Sequence, residues 1–111
     1  MAIVAKTKGT RINEISDGFT LTPLSSGGKQ FAFDGKDGYM VLLITGTAAD
    51  TVTIVKGDGG VADLAVSTEA NKYHFITLDS KYFLTLSGAN KGSITVKGAS
   101  TSSAAVIEVA N

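Results

Sequence analysis

Between Thr51 and Leu64 the chain shows its structural rule in miniature. Thr51-Val52-Thr53-Ile54-Val55-Lys56 alternates polar and β-branched apolar residues, breaks at Gly57-Asp58-Gly59-Gly60 and restarts at Val61-Ala62-Asp63-Leu64. Successive residues of a strand point to opposite faces, so Val52 and Ile54 go to one side and Thr51 and Thr53 to the other. The glycines supply the tight reversal between runs. The same rule recurs along the chain: β-prone runs at 19–22 before Pro23, 30–33 after Gly27-Gly28, and 39–45 after Asp37-Gly38 are followed by runs at 64–67, 73–78, 81–86, 93–97 and 106–109. Short strands at this spacing close into a sandwich or barrel.

The expected fold is therefore all-β, a single antiparallel β-sandwich or β-barrel-like domain of about eight strands. It occupies residues 19–111. Residues 1–18 hold no sustained period of 2 or 3.6 and read as an extended N-terminal arm. Val41, Leu43, Val52, Ile54, Ile94 and Val96 are the expected core. The run Tyr39-Met40-Val41-Leu42-Leu43-Ile44 is apolar on both faces, which predicts a central strand or one face of an interface. Residues 68–72 predict a helical turn or hairpin loop, and the Ser/Thr/Ala-rich residues 98–105 a surface connection.

Composition narrows the chemistry. With 43% apolar residues the 111-residue chain can pack a core without a staple, and with no cysteine it has no disulfide framework, zinc-thiolate cluster or thiol nucleophile. Ten basic residues balance ten acidic ones, so no net field draws in nucleic acid or an anionic membrane, and neither is an expected partner. Charge is uneven along the chain. Lys6, Lys8 and Arg11 give residues 1–13 a charge of +3, and seven bases against ten acids leave −3 on the rest. The opening Met1-Ala2-Ile3-Val4-Ala5-Lys6 lacks the pattern of a Sec signal, and the longest apolar run, Tyr39 to Ile44, is far shorter than the roughly 20 residues that span a bilayer.

No catalytic or cofactor constellation emerges. His74, Asp79 and Ser80 are the residue types of a hydrolase triad, but no nucleophile elbow accompanies them, and Asp79-Ser80-Lys81 reads as a turn. His74 is the only histidine and is expected on the less buried face of its strand; it has no partners for a transition metal. Asp34-Gly35-Lys36-Asp37-Gly38 places a lysine where a calcium loop needs an oxygen ligand and reads as a β-turn. Gly57-Asp58-Gly59-Gly60 lacks the lysine and following helix of a phosphate cradle. Tyr73, Phe75, Tyr82 and Phe83 have no basic groove around them and are expected to pack in the core or an interface rather than stack on bases or sugars. The expectation is a protein that is not an enzyme and needs no cofactor or metal.

Two stretches carry a resemblance. The strand, Gly57-Asp58-Gly59 turn and Ala62-Asp63-Leu64 segment, followed by Leu86-Ser87-Gly88-Ala89-Asn90-Lys91-Gly92-Ser93-Ile94-Thr95-Val96-Lys97, resemble in that order small structural proteins of tailed bacteriophages, most closely capsid decoration or auxiliary head proteins. The resemblance covers roughly residues 29–97. It implies a virion β domain, made in the host cytoplasm, that sits on the outer surface of an assembled capsid and reinforces it. The implied partners are the major capsid protein and further copies of the chain, a trimer among the options. A tail-tube or tail-tip component is the first alternative, and a bacterial surface adhesion module the second. In the decoration reading the arm makes the contact, with Ile3 and Val4 as apolar anchors and Lys6, Lys8 and Arg11 facing an acidic partner.

Overall fold

The computed structural model describes residues 3–4, 7–9, 21–33, 38–78, 80–89 and 91–110. In chain order its strands are β1 (Ile3–Val4), β2 (Thr7–Gly9), β3 (Thr22–Pro23), β4 (Lys29–Ala32), β5 (Gly38–Gly46), β6 (Asp50–Ile54), β7 (Leu64–Thr68) and β8 (His74–Thr77). One helical turn, α1 (Ser80–Phe83), precedes β9 (Ser93–Lys97) and β10 (Ser102–Ala110).

The protein is all-β, an antiparallel sandwich of eight strands in two sheets of four. One sheet runs β4-β9-β6-β7 and the other is built on β10-β5-β8, with β3 on the far side of β10. The arm adds one short strand to each sheet, β1 parallel to β4 and β2 parallel to β10. β2 and β3 share one edge of β10, since β3 pairs with Ser103 and Ala104 and β2 with residues 107–109. Pro23 is tolerated in β3 because that strand has a single neighbour and needs no second row of donors.

Alternation explains how the layers meet. Phe31, Val52, Ile54, Ile94 and Val96 from the first sheet pack against Leu42, Ile44, Ala104 and Val106 from the second, with Leu24, Phe33 and Leu78 completing the cluster. Register aligns these side chains in rows: Phe31 lies opposite Ile94, Ile54 opposite Val96, Ile44 opposite Ala104 and Leu42 opposite Val106. Five of the six expected core residues, Leu43, Val52, Ile54, Ile94 and Val96, are fully buried, the last four in this cluster. β5 lies between β10 and β8, the central position expected of it.

Three readings are corrected. On β5 it is Leu42 and Ile44 that join the inter-sheet cluster; Leu43 is buried on the opposite face, and Val41, expected in the core, is only half-buried. Residues 81–86 are not a strand. They begin in α1, and their later backbone groups bond to the start of β9 and the turn before it: Thr85 N–H to Ser93 C=O and Gly92 N–H to Thr85 C=O. The Ser/Thr/Ala-rich connection ends earlier than expected, because β10 starts at Ser102 and pairs with β5 along its whole length.

Asp50 ties the two sheets together. It opens β6 of the first sheet, and its Oδ2 accepts from the Ala99 N–H (3.0 Å) and the Ser102 hydroxyl (2.8 Å) at the start of β10, while Oδ1 accepts from Thr51 N–H (2.8 Å). Burial pushes its pKa up, but the donors at Ala99, Ser102 and Thr51 outweigh burial and hold it below the ordinary carboxylate value. A depressed folded-state pKa contributes stability that is fully present above the unfolded value, near pH 3.9, and is lost as pH falls through the folded value. Asp50→Asn is therefore expected to lower stability by about 1.5–3 kcal/mol at neutral pH, since an amide sets a donor against donors. Denaturant melts between neutral pH and about pH 3 should show the wild type losing part of this advantage below about pH 4. Equal stabilities at neutral pH would contradict the clamp.

Candidate functional site

The loop after β6 and the segment from Tyr82 to Gly92 meet in space. Gly57 N–H donates to Tyr82 C=O (2.8 Å) and Asp58 N–H to Leu84 C=O (3.3 Å). Asp58 Oδ2 accepts from Leu86 N–H (2.8 Å), and Asp63 Oδ1 accepts from Lys56 N–H (2.8 Å), closing the loop on itself. The late turn is closed by Lys91 N–H to Gly88 C=O and joined to the middle segment by the Thr85–Ser93 and Gly92–Thr85 bonds. Glycine is required at two of these positions by proximity. A Cβ on Gly57 would strike the backbone of Phe83 and Leu84, and one on Gly60 the Tyr82 carbonyl. Gly57, Asp58, Gly60 and Asp63 thus each have a local structural task.

The loop cluster presents exposed apolar side chains beside the exposed Lys56, Asp58, Asp63 and Lys91. Val61 is 90% exposed and Leu86 54% exposed, with Leu64 and Tyr82 also on the surface. Side chains of this kind gain nothing from water and stand on a backbone fixed by hydrogen bonds, which suits contact with a partner.

The other candidate residues are not assembled into a chemical centre. His74 is half-buried, on the inward side of β8 with Ile76, rather than on the less buried face. Its Nε2 accepts from Glu69 N–H (3.3 Å), which assigns the proton of the neutral ring to Nδ1. Ser80 begins α1, and Asp79 lies outside the described residues. Among the described residues no three His, Cys, Asp or Glu side chains group as metal ligands, and no helix is long and apolar enough to cross a membrane. Asp34, Lys36 and Asp37 lie outside the described residues. Of the aromatics expected in the core or an interface, Phe83 packs against the core, whereas Tyr73 and Phe75 are 63% and 67% exposed on the opposite face of β8 from Ile76.

The arm residues proposed for contact divide three ways. Ile3 and Val4 form β1, opposite Gln30 and Phe31. Lys8 lies in β2 opposite Glu108. Lys6 and Arg11 lie outside the described residues. Sequence patterning missed Val61 and Leu86 as exposed residues, because an apolar residue beside a glycine turn gives no sign of which way it faces.

No family model, curated protein or solved structure matches this chain.

Proposed function

We propose that the protein is a virion structural protein that decorates and reinforces the outer surface of a phage capsid, with the major capsid protein as its partner. The observation that supports this reading is the pinned loop cluster, which carries the exposed Val61, Leu64, Tyr82 and Leu86 in the segments read as resembling decoration proteins. A rigid apolar tip binds without ordering itself first, so little of its contact energy is spent on conformational entropy. Lys6, Lys8 and Arg11 steer the approach toward an acidic shell, a contribution that salt weakens. Repeated copies on a symmetric shell add avidity to a modest single contact. A tail component would use the same tip against tail parts.

Co-sedimentation with expanded shells of the phage that encodes the protein tests this. The intact chain is expected to bind shells and leave free capsomers in solution. Val61→Asp combined with Leu86→Asp should weaken occupancy about tenfold or more while leaving the fold intact, since both residues are exposed. Deleting residues 2–11 removes both arm strands and none of the clustered core residues, and should lower occupancy with the sandwich retained. Failure to bind shells, together with polymerisation or binding to tail parts, would replace the capsid reading with the tail one.

A further inference from the structure

The outer face of the second sheet carries a depression of about 350 Å³ at the end where β5 runs out and β10 begins. Thr45 and Ser103, opposite each other in register, alternate with the core residues Ile44 and Ala104 and so project away from the core. Thr47, Thr101 and Asn71 reach the depression from two loops and a turn, and Tyr73 stands at its side, 63% exposed. Every polar side chain in the lining is a hydroxyl or an amide, and none is charged.

The walls are held in place by backbone. Asn71 N–H donates to Gly46 C=O (2.7 Å), and Thr47 N–H to Thr101 C=O (3.2 Å). Asn71 sits at φ 60°, the left-handed region that asparagine tolerates better than most residues. Gly46 lets the loops close: a Cβ there would come within 2.8 Å of the Thr101 carbonyl oxygen and 3.1 Å of the Ser102 hydroxyl. Four separate segments, counting Leu21 ahead of β3, thus converge on a preformed hollow with one aromatic wall.

This chemistry selects among ligands. A phosphate or nucleic-acid strand needs cations, and the nearby Lys72 is paired with Glu69 at 3.3 Å. A wholly apolar molecule would strip water from hydroxyls and an amide without replacing its hydrogen bonds. A neutral pyranose meets both requirements, because its C–H face stacks on a tyrosine ring while its rim of hydroxyls exchanges hydrogen bonds with Thr, Ser and Asn side chains that donate and accept. We propose that this hollow is a saccharide-binding site, with Tyr73 as the stacking platform and Thr45, Thr47, Asn71, Thr101 and Ser103 as the hydrogen-bonding rim. The site lies on residues separate from the apolar tip, so its existence does not depend on attachment to a capsid.

Backbone-amide NMR titration of the full chain with maltose, lactose, cellobiose and chitobiose, and separately with single-stranded oligothymidylate, tests the proposal. At least one disaccharide is expected to produce saturable shifts at Thr47, Asn71 and Thr101, with oligothymidylate producing none. Tyr73→Ala should weaken that binding about tenfold or more, and Tyr73→Phe, which keeps the stacking face, should stay within about threefold. Both variants should remain folded because the side chain is exposed. Thr101→Val supplies a second variant that removes a hydroxyl and keeps the shape, and it too should weaken binding. The proposal is overturned if none of the four sugars shifts these amides, if binding survives Tyr73→Ala unchanged, or if only the oligonucleotide binds.

Discussion

Phe31→Ala is expected to cost about 3–5 kcal/mol, the range for truncating a fully buried aromatic ring. Phe31 is wholly inaccessible to solvent, lies opposite Ile94 in β4–β9 register and belongs to the cluster that joins the sheets. Removing the ring forfeits its transfer free energy and leaves a hollow between two sheets whose backbones are fixed by their own ladders, so collapse cannot recover much of the loss. Domains of this size are stable by about 5–15 kcal/mol, which places the variant near the edge of folding. Urea melts should show a lower midpoint with little change in slope, and Phe31→Leu a smaller loss. A Phe31→Ala cost under about 1 kcal/mol would mean that the ring does not lie between the sheets.

Gly57→Ala should cost about 3 kcal/mol or more, at or beyond the upper end of ordinary overpacking. The reason is the kind of atom in the way. The added methyl would meet main-chain atoms of Phe83 and Leu84, which no rotamer change can move aside, so the Gly57–Tyr82 and Asp58–Leu84 hydrogen bonds must open. Gly27 provides the control, because a Cβ there meets nothing within 4 Å. Gly27→Ala should be close to neutral or slightly stabilising through the unfolded chain. If Gly57→Ala melts like wild type, the two loops do not approach as described. If capsid attachment uses the tip, Gly57→Ala should also lose shell binding under conditions where the sandwich is still folded.

The inter-sheet core was legible wherever one face of a strand is polar. Val52 and Ile54 between threonines, and Ile94 and Val96 between Ser93, Thr95 and Lys97, fix their own phase, and each of these four is buried. On β5 that information is missing. Val41, Leu42, Leu43 and Ile44 are all apolar, and a one-residue slip exchanges the two faces without altering the pattern, so only pairing with β10 decides between them. Residues 81–86 misled for a different reason. Tyr82, Phe83, Leu84 and Leu86 have strand-like side chains, yet their backbone partners are glycine loops, and nothing local in the sequence shows where a carbonyl will be satisfied. Ser102 to Ala105 misled in the opposite sense, since small side chains give little strand signal and the long β5 edge imposes the conformation. The saccharide hollow was beyond reach because Thr47, Asn71 and Thr101 come from separate turns that only the closed sandwich brings together.

The strand β10 sets an order on synthesis. On the ribosome, residues 7–9 emerge long before β10, yet Thr7 pairs with Ile107 and Gly9 with Val109. Throughout translation the β2 segment has no permanent partner, and the edge it will occupy does not yet exist. The segment made early therefore docks late, since its pairing requires β10 and the closure of a long loop. During that interval the β2 segment, its strand pairing not yet made, is available to chaperones, proteases or a neighbouring chain.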